Sequence, residues 1–248
     1  MTMAPFRHDA GAFCGSAMIL AAGRGERMRP LTDSVPKALL PVGGIPLIQW
    51  HVERLRAAGF RDLVVNHAHL GEQIERELGD GAQFAVSIRY SREASALETA
   101  GGIRFALDLL PLPVFPVVNA DVFSDFDYRR LNDVVARLAA TPWLDAHIVL
   151  VDNPEHHPGG DFTLSGGLVG DGPGERFTFA GIGVYRRSLF EGLVHGEPAK
   201  LAPLLRAAIA RGALSGERFD GRWVDVGTPE RLAALDAALR GEAARANF

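Results

Sequence analysis

The chain has 248 residues, 47% of them hydrophobic and 23% charged, with a formal net charge of −4. That length supports one large α/β core, or a core with a small lobe, and the net acidity gives no general attraction to polyanions, so nucleic acid is not an expected partner and any basic feature is local. Cys14 is the sole cysteine, which rules out an internal disulfide and fits a reducing, cytoplasmic setting; no stretch approaches the roughly 20 apolar residues that span a bilayer, so no membrane partner is expected.

Residues 1–15 lack the continuous apolar segment of a signal peptide and read as a loose N-terminal extension ahead of a single domain over 16–248. From there short apolar runs alternate with longer amphipathic ones, the pattern of a mostly parallel sheet covered by helices. The first strand is expected over Ser16–Ala21, and a helix from Pro46 to Gly59. RDLVVN (strand), LGEQIERELG (helix), VSIRYS (strand) and ETAGGIRFALDLL (helix) follow, each step about as long as a βα unit requires. FPVVNAD, the helix DYRRLNDVVARLAA with Asp127 as a cap or turn residue, and HIVLVD extend the sheet. Over about 153–187 the composition turns to Gly, Asp, Pro and Phe, with turn signals at Gly166-Gly167 and Asp171-Gly172, so hairpins or a small β-rich insertion are expected there. A helix near LAPLLRAAIARG, a strand near RWVDV and a last helix from Thr228-Pro229 complete the chain.

Chemistry concentrates in AAGRGERMRPLTDSVPKALLPV, residues 21–42, directly behind the first strand. Ligands of open α/β sheets sit at the carboxyl ends of strands, and Ala22, Gly23 and Gly25 offer a backbone that can turn tightly and bring N–H groups against a phosphate. Met28 stands where a dinucleotide fingerprint needs its third glycine, and the Gly-Lys-Ser/Thr of a P-loop is absent. A bare Gly-x-Gly remains compatible with a simple structural turn.

The longer pattern Gly23-x-Gly25-x-Arg27-Met28-x-Pro30-Leu31-Thr32, then Pro36-Lys37 and Leu40-Pro41-Val42, closely resembles the signature of the sugar-1-phosphate nucleotidyltransferases. VVNHAHLG, IRYSREASALETAGG, VDNPEHH, KLAPLL and WVDVGT extend the resemblance over about 16–240 and point to the part of that family acting on N-acetylmuramate α-1-phosphate with UTP. The resemblance implies a Rossmann-like nucleotidyltransferase fold with the sugar-side β lobe at about 153–187. It implies transfer of UMP to the sugar phosphate with release of pyrophosphate, in peptidoglycan recycling, by a monomer or small homo-oligomer. Glucose, mannose or N-acetylglucosamine 1-phosphate is the alternative acceptor, and a non-catalytic nucleotide-sugar binder the alternative class.

Such a transfer brings two polyanions together and needs cations and donors around phosphate rather than a strong base. Arg27 matches the family arginine near the leaving pyrophosphate and Lys37 the lysine near the α-phosphate or acceptor phosphate, whereas Arg24 and Arg29 read as solvated loop cations. Asp121 and Asp225 each close a strand, and two carboxylates plus substrate phosphates are what Mg²⁺ requires; the family's metal lies on the matching pair. For the base, Leu97-Glu98-Thr99-Ala100-Gly101 stands where the family has Leu-Gly-Thr-Ala-Gly, so Glu98 replaces a glycine, and Glu93 matches a position that faces the base. Asn153 and Gly181 match the acceptor-sugar side. The family's Glu-Lys-Pro segment is missing; Lys200 is a candidate substitute, with a surface lysine as its plain reading. His67, His69 and His156-His157 lack a completing Cys or carboxylate at metal-site spacing, and Leu47, Ile48, Trp50-His51 and Leu55 read as helix core.

Overall fold

Apolar runs long enough to be buried on both faces fold as strands in a computed structural model that describes residues 15–246. The expected extension over 1–15 lies, Gly15 apart, outside the described residues. The first half repeats strand–helix steps: β1 (Gly15–Leu20), a long loop with the short hairpin β2 (Pro41–Val42) and β3 (Ile45–Pro46), α1 (Leu47–Ala57), β4 (Phe60–His67), α2 (Gly71–Leu78), β5 (Ser87–Arg92), α3 (Glu98–Ala106) and β6 (Val114–Asn119). The second half runs β7 (Val122–Ser124), α4 (Arg130–Ala140), β8 (Ala146–Val151), β9 (Phe162–Ser165), β10 (Leu168–Gly170), β11 (Arg176–Arg186), α5 (Ser188–Glu191), α6 (Leu201–Ala210), β12 (Leu214–Arg218), β13 (Trp223–Asp225) and α7 (Pro229–Ala246).

Nine strands form one sheet in the order β5-β4-β1-β6-β11-β8-β12-β10-β9. β1 is parallel to β4 and β6, β4 to β5, and β8 to β12, while β11 runs antiparallel to both β6 and β8. The carboxyl ends of β1, β4, β5, β6 and β8 therefore share one edge. Alternate residues of each central strand serve different cores: Ala17, Ile19, Leu63, Val65 and Val118 pack with Val52, Leu55 and Leu138, and Met18, Val64 and Val117 with Ile103 and Leu205. Helices cover both faces, which is why these strands read as continuous apolar runs. A third, smaller cluster of Val42, Leu47, Phe123, Val226 and Leu235 joins α7 to the β2–β3 hairpin and to the separate pairing of β7 with β13.

Residues 153–187 hold the hairpin β9–β10, whose turn uses Gly166 and Gly167 at positive φ, and the long strand β11. All three belong to the main sheet. β11 is central because it is apolar on both faces, Ile182 and Val184 toward one core and Phe177 and Tyr185 toward the other. β7 and β12 were not apparent in the sequence, since β7 is three residues long and LSGER is apolar only at its start. α4 begins at Arg130, so Asp127 belongs to the preceding turn, where it accepts the Arg129 N–H and pairs with the Arg129 guanidinium. His51 lies in the core as expected; burial pushes its pKa down to about 4, leaving a neutral ring that accepts from the Tyr128 hydroxyl at Nδ1 and donates from Nε2 to the Val122 carbonyl. Among the described residues no helix is long and apolar enough to cross a membrane.

The end of β5 is tied to α2 through Glu75, which accepts two hydrogen bonds of 2.6 Å from Arg92 and lies 2.6 Å from His67 Nε2. Arg92, with a smaller contribution from His67, holds the Glu75 carboxyl down to about 2, against 4.5 ordinarily. A depressed carboxylate stabilises the fold above its unfolded pKa, and this is lost as pH falls through the folded value. Glu75→Gln is expected to lower stability in urea unfolding at pH 7, with the penalty shrinking as pH falls from about 4.5 toward about 2. A penalty independent of pH would contradict this origin.

Candidate active site

The register of the parallel strands builds the centre of the site. Leu20 at the end of β1 pairs with Asn66 of β4 on one side and Asn119 of β6 on the other. Asn66 Oδ1 then accepts the Ala21 N–H at 2.9 Å, fixing the exit of the following loop. Gly25 sits at φ +69°, and a Cβ there would come within 3.1 Å of Thr32 and 3.2 Å of Lys37, so both conformation and space call for glycine. Thr32 Oγ1 donates back to the Gly25 carbonyl and Met28 is fully buried beneath the loop.

The loop cations divide sharply. Arg24 donates to the Thr32 carbonyl at 2.6 Å and to Asp33 at 3.0 Å, and Arg29 donates to Asp33 at 2.8 Å. Arg24, first, and then Arg29 hold the Asp33 carboxyl below its usual range. Arg29 is exposed, as expected of a solvated loop cation, and Arg24 is half-buried; both close the loop on one shared carboxylate. Arg27 has no hydrogen bond or ion pair among the described residues and is exposed, so its guanidinium is open to a ligand.

A cleft of about 340 Å³ opens at the strand ends, lined among others by Ala22, Gly23, Lys37, Glu98, Thr99 and Asp121. Lys37 is nearly buried, and its Nζ donates to Asp121 Oδ2 at 2.7 Å while the aspartate stays half-exposed. Asp225, at the end of β13, is brought beside Asp121 by the pairing of Asp225 with Val122 and by the Val226 N–H bond of 3.0 Å to the Asp121 carbonyl. Asp225 Oδ2 lies 3.0 Å from Arg231 NH1 and 3.2 Å from His156 Nε2. A Cβ on Gly227 would meet Arg231, Asp225 and Arg27 within 3.0 Å, so these charges converge over one glycine.

Glu93 does not line this cleft. Its Oε1 accepts from Asn66 at 2.6 Å and its Oε2 from the Leu97 N–H at 2.9 Å. Burial raises its pKa above the usual carboxylate range, opposed by these two donors. The run Ala21–Asn66–Glu93–Leu97 thus links the ends of β1, β4 and β5, and Glu93, expected to face the base, holds Leu97, the residue before α3. Asn153, expected on the acceptor-sugar side, donates through its amide to the Arg176 and Pro158 carbonyls and accepts from Thr178, pinning the loop after β8 to β11. Gly181 lies in the β11 bulge at φ +72°, where a Cβ would press within 3.0 Å of Asn119, so it backs the wall of the cleft. Lys200 is exposed at the start of α6 and does not line the cleft; its neighbour Ala199 bonds Leu97, Ala100 and Gly101 and so holds the first turn of α3. His67 faces Glu75 and His157 faces Asp161. Arg231 and the contact role of His156 went unrecognised in the sequence. His156 adjoins a recognised segment, but no local pattern marks Arg231.

The Nucleotidyl transferase family profile matches residues 16–159. Over 225 residues the chain is 50% identical to the N-acetylmuramate alpha-1-phosphate uridylyltransferase of Neisseria meningitidis serogroup B, covering 89% of this chain and 96% of that protein. It is 35% identical over 234 residues to the Caulobacter vibrioides protein of the same name, covering 90% and 96%. A crystal structure of a putative glucose-1-phosphate thymidylyltransferase from Bacillus anthracis in complex with a sucrose superposes with a TM-score of 0.79 at 23% identity, over 91% of this chain and 95% of that one, which shows the same fold.

Glu98 opens α3 at φ +60°, a left-handed conformation costing a residue with a Cβ about 1 kcal/mol or more relative to glycine. Glu98→Gly is therefore expected to raise the melting temperature by about 2–4 °C. An unchanged or lower melting temperature would mean that the side chain makes compensating contacts.

Proposed function

The chain belongs to the nucleotidyl transferase family, and on that premise we propose that it is a sugar-1-phosphate uridylyltransferase, moving UMP from UTP to N-acetylmuramate α-1-phosphate with release of pyrophosphate. The observation that carries this reading is the gathering of Arg27, Lys37, Asp121 and Asp225 at one sheet edge beside a cleft turned by glycine. The acceptor is supported by the 50% identity to a protein named for it. Its place is the cytoplasm, in peptidoglycan recycling.

In the reaction an acceptor phosphate oxygen attacks the α-phosphorus of UTP, the new P–O bond forming as the bond to the β-phosphate oxygen breaks. The acceptor oxygen is already ionised at neutral pH, so no general base is required. What the chain supplies is position and charge. Ala22 and Gly23 bring backbone to the triphosphate, and Thr99 with the backbone of Glu98 meets the nucleoside end. Lys37 offers an ammonium where charge crowds at the α-phosphorus. Arg27, free of protein partners, forks onto the departing pyrophosphate.

Mg²⁺ fits the carboxylates: Asp121, in the turn between β6 and β7, and Asp225, at the end of β13, are hard oxygen donors, and Lys37 and Arg231 occupy Oδ2 of each, leaving Oδ1. Bound there, the ion would polarise phosphate oxygens as a Lewis acid.

Two measurements test the reading. Arg27→Ala is expected to lower kcat/KM about 10²-fold with an unchanged melting temperature, whereas Arg24→Ala lowers the melting temperature, because its guanidinium closes the loop. Activity lost equally in both at unchanged stability would refute this division of roles. With UTP and Mg²⁺, kcat/KM for N-acetylmuramate α-1-phosphate is expected to exceed that for N-acetylglucosamine 1-phosphate; the reverse preference rejects the acceptor while leaving the reaction class.

A further inference from the structure

Two side chains outside the nucleotide cleft converge on its carboxylate edge, and nothing in the reaction as derived so far uses them. His156 comes from the loop after β8 and Arg231 from the first turn of α7, and both reach Asp225. β6, with Asp121 just beyond its end, separates the strands of the nucleotide side, β1, β4 and β5, from β11 and β8. His156, on the loop after β8, therefore stands across β6 from the nucleotide-side strands, and neither it nor Arg231 lines the cleft.

Arg231 is held firmly but incompletely. NH1 lies 2.5 Å from His156 Nε2 and 3.0 Å from Asp225 Oδ2, while Nε is buried with no hydrogen-bond partner. With the guanidinium donating to Nε2, the His156 ring carries its proton on Nδ1, so the histidine is an acceptor that orients Arg231. The second terminal nitrogen of Arg231 packs over Gly227, and the free guanidinium of Arg27 approaches the same point. A cation in the first turn of a helix also opposes the helix dipole. Two guanidinium groups over one glycine, one with an unpartnered N–H, form an arrangement that an anion would complete.

The acceptor brings that anion. In the proposed reaction Lys37 serves the α-phosphorus and Arg27 the donor's pyrophosphate, Lys200 is exposed and does not line the cleft, and the Asn153 amide is engaged by Arg176 and Thr178. We propose that Arg231, oriented by His156 and Asp225, binds an anionic oxygen group of the acceptor. The inference rests on the uridylyltransferase reading. That group is either the 1-phosphate, common to all sugar 1-phosphates, or the lactyl carboxylate, which N-acetylmuramate carries and N-acetylglucosamine does not.

The test is the separation of the two Michaelis constants. Arg231→Met keeps an unbranched side chain and removes the charge; Arg231→Lys retains a cation. With Mg²⁺, the acceptor KM is expected to rise roughly 10–100-fold in Arg231→Met at an unchanged UTP KM, with partial recovery in Arg231→Lys. A rise confined to N-acetylmuramate α-1-phosphate identifies the carboxylate as the bound group, and an equal rise for N-acetylglucosamine 1-phosphate identifies the phosphate. A rise in the UTP KM instead, or an unchanged acceptor KM, overturns the proposal. If Arg231→Met fails to fold, the same separation is read in Arg231→Lys as a smaller rise. Should the wild-type protein refuse the muramate compound, the acceptor reading fails alone, and the constants for the sugar phosphate it does use still decide the role of Arg231.

Discussion

Parallel pairing of β1 with β4 and β6 is the constraint on which the site depends. It sets Asn66, Leu20 and Asn119 in one row across three strands. Because side chains alternate across a strand, a slip of one residue in either pairing would carry an asparagine to the opposite face and exchange the two cores. The burial of Met18, Val64 and Val117 on one side, with Ala17, Ile19 and Val65 on the other, makes such a slip costly. Packing of the sheet thus fixes where Asn66 can meet Ala21 and Glu93, and through them how the loops after β1, β4 and β5 leave the edge.

Charge at that edge is largely paired before any ligand arrives. Asp33 holds Arg24 and Arg29, Asp121 holds Lys37, and Asp225 holds Arg231. Exposed pairs of this kind add little to stability, so their main effect is to keep long side chains in place. The exposed Asp33 pairs shape a loop, while the nearly buried Lys37 places its ammonium at the mouth of the cleft. Arg27 differs from its neighbours because Asp33 is already engaged by the other two loop arginines.

The third hydrophobic cluster connects the last helix to this edge. Leu235 on α7 and Val226 beside Asp225 pack with Val42, Leu47 and Phe123, so α7 folds back onto the β2–β3 hairpin that follows the glycine-turned loop. Asp236 reinforces the contact by accepting the Gly43 N–H at 2.8 Å. Pairing of β13 with β7 sets Asp225 beside Asp121, and the packing of α7 brings Arg231 to it. The strained backbone at Glu98 belongs to the same economy of placement: Ala199 and Glu93 hold Leu97 and the first turn of α3 from both sides, over-determining a conformation that glutamate does not favour.

By itself the sequence determined the features written in contiguous residues. β1, β4 and β6 were legible because strands buried on both faces must be apolar throughout, and α1 and α2 because their amphipathic runs have clear ends. The loop after β1, Lys37, Asp121 and Asp225 could be named as candidates because each lies in a short pattern of defined composition at a strand end. Tertiary structure alone decided what depends on partners distant in the chain. Arg24 looked like a free cation until Asp33 folded back on it, and Glu93 and Asn153 looked like ligand contacts until Asn66, Leu97 and Arg176 took up their hydrogen bonds. β12 escaped notice because its place is set by pairing with β8 rather than by its own residues. Arg231 became a site residue only when α7 packed against the hairpin, since a side chain's direction follows from the packing of its helix and is written in no local pattern.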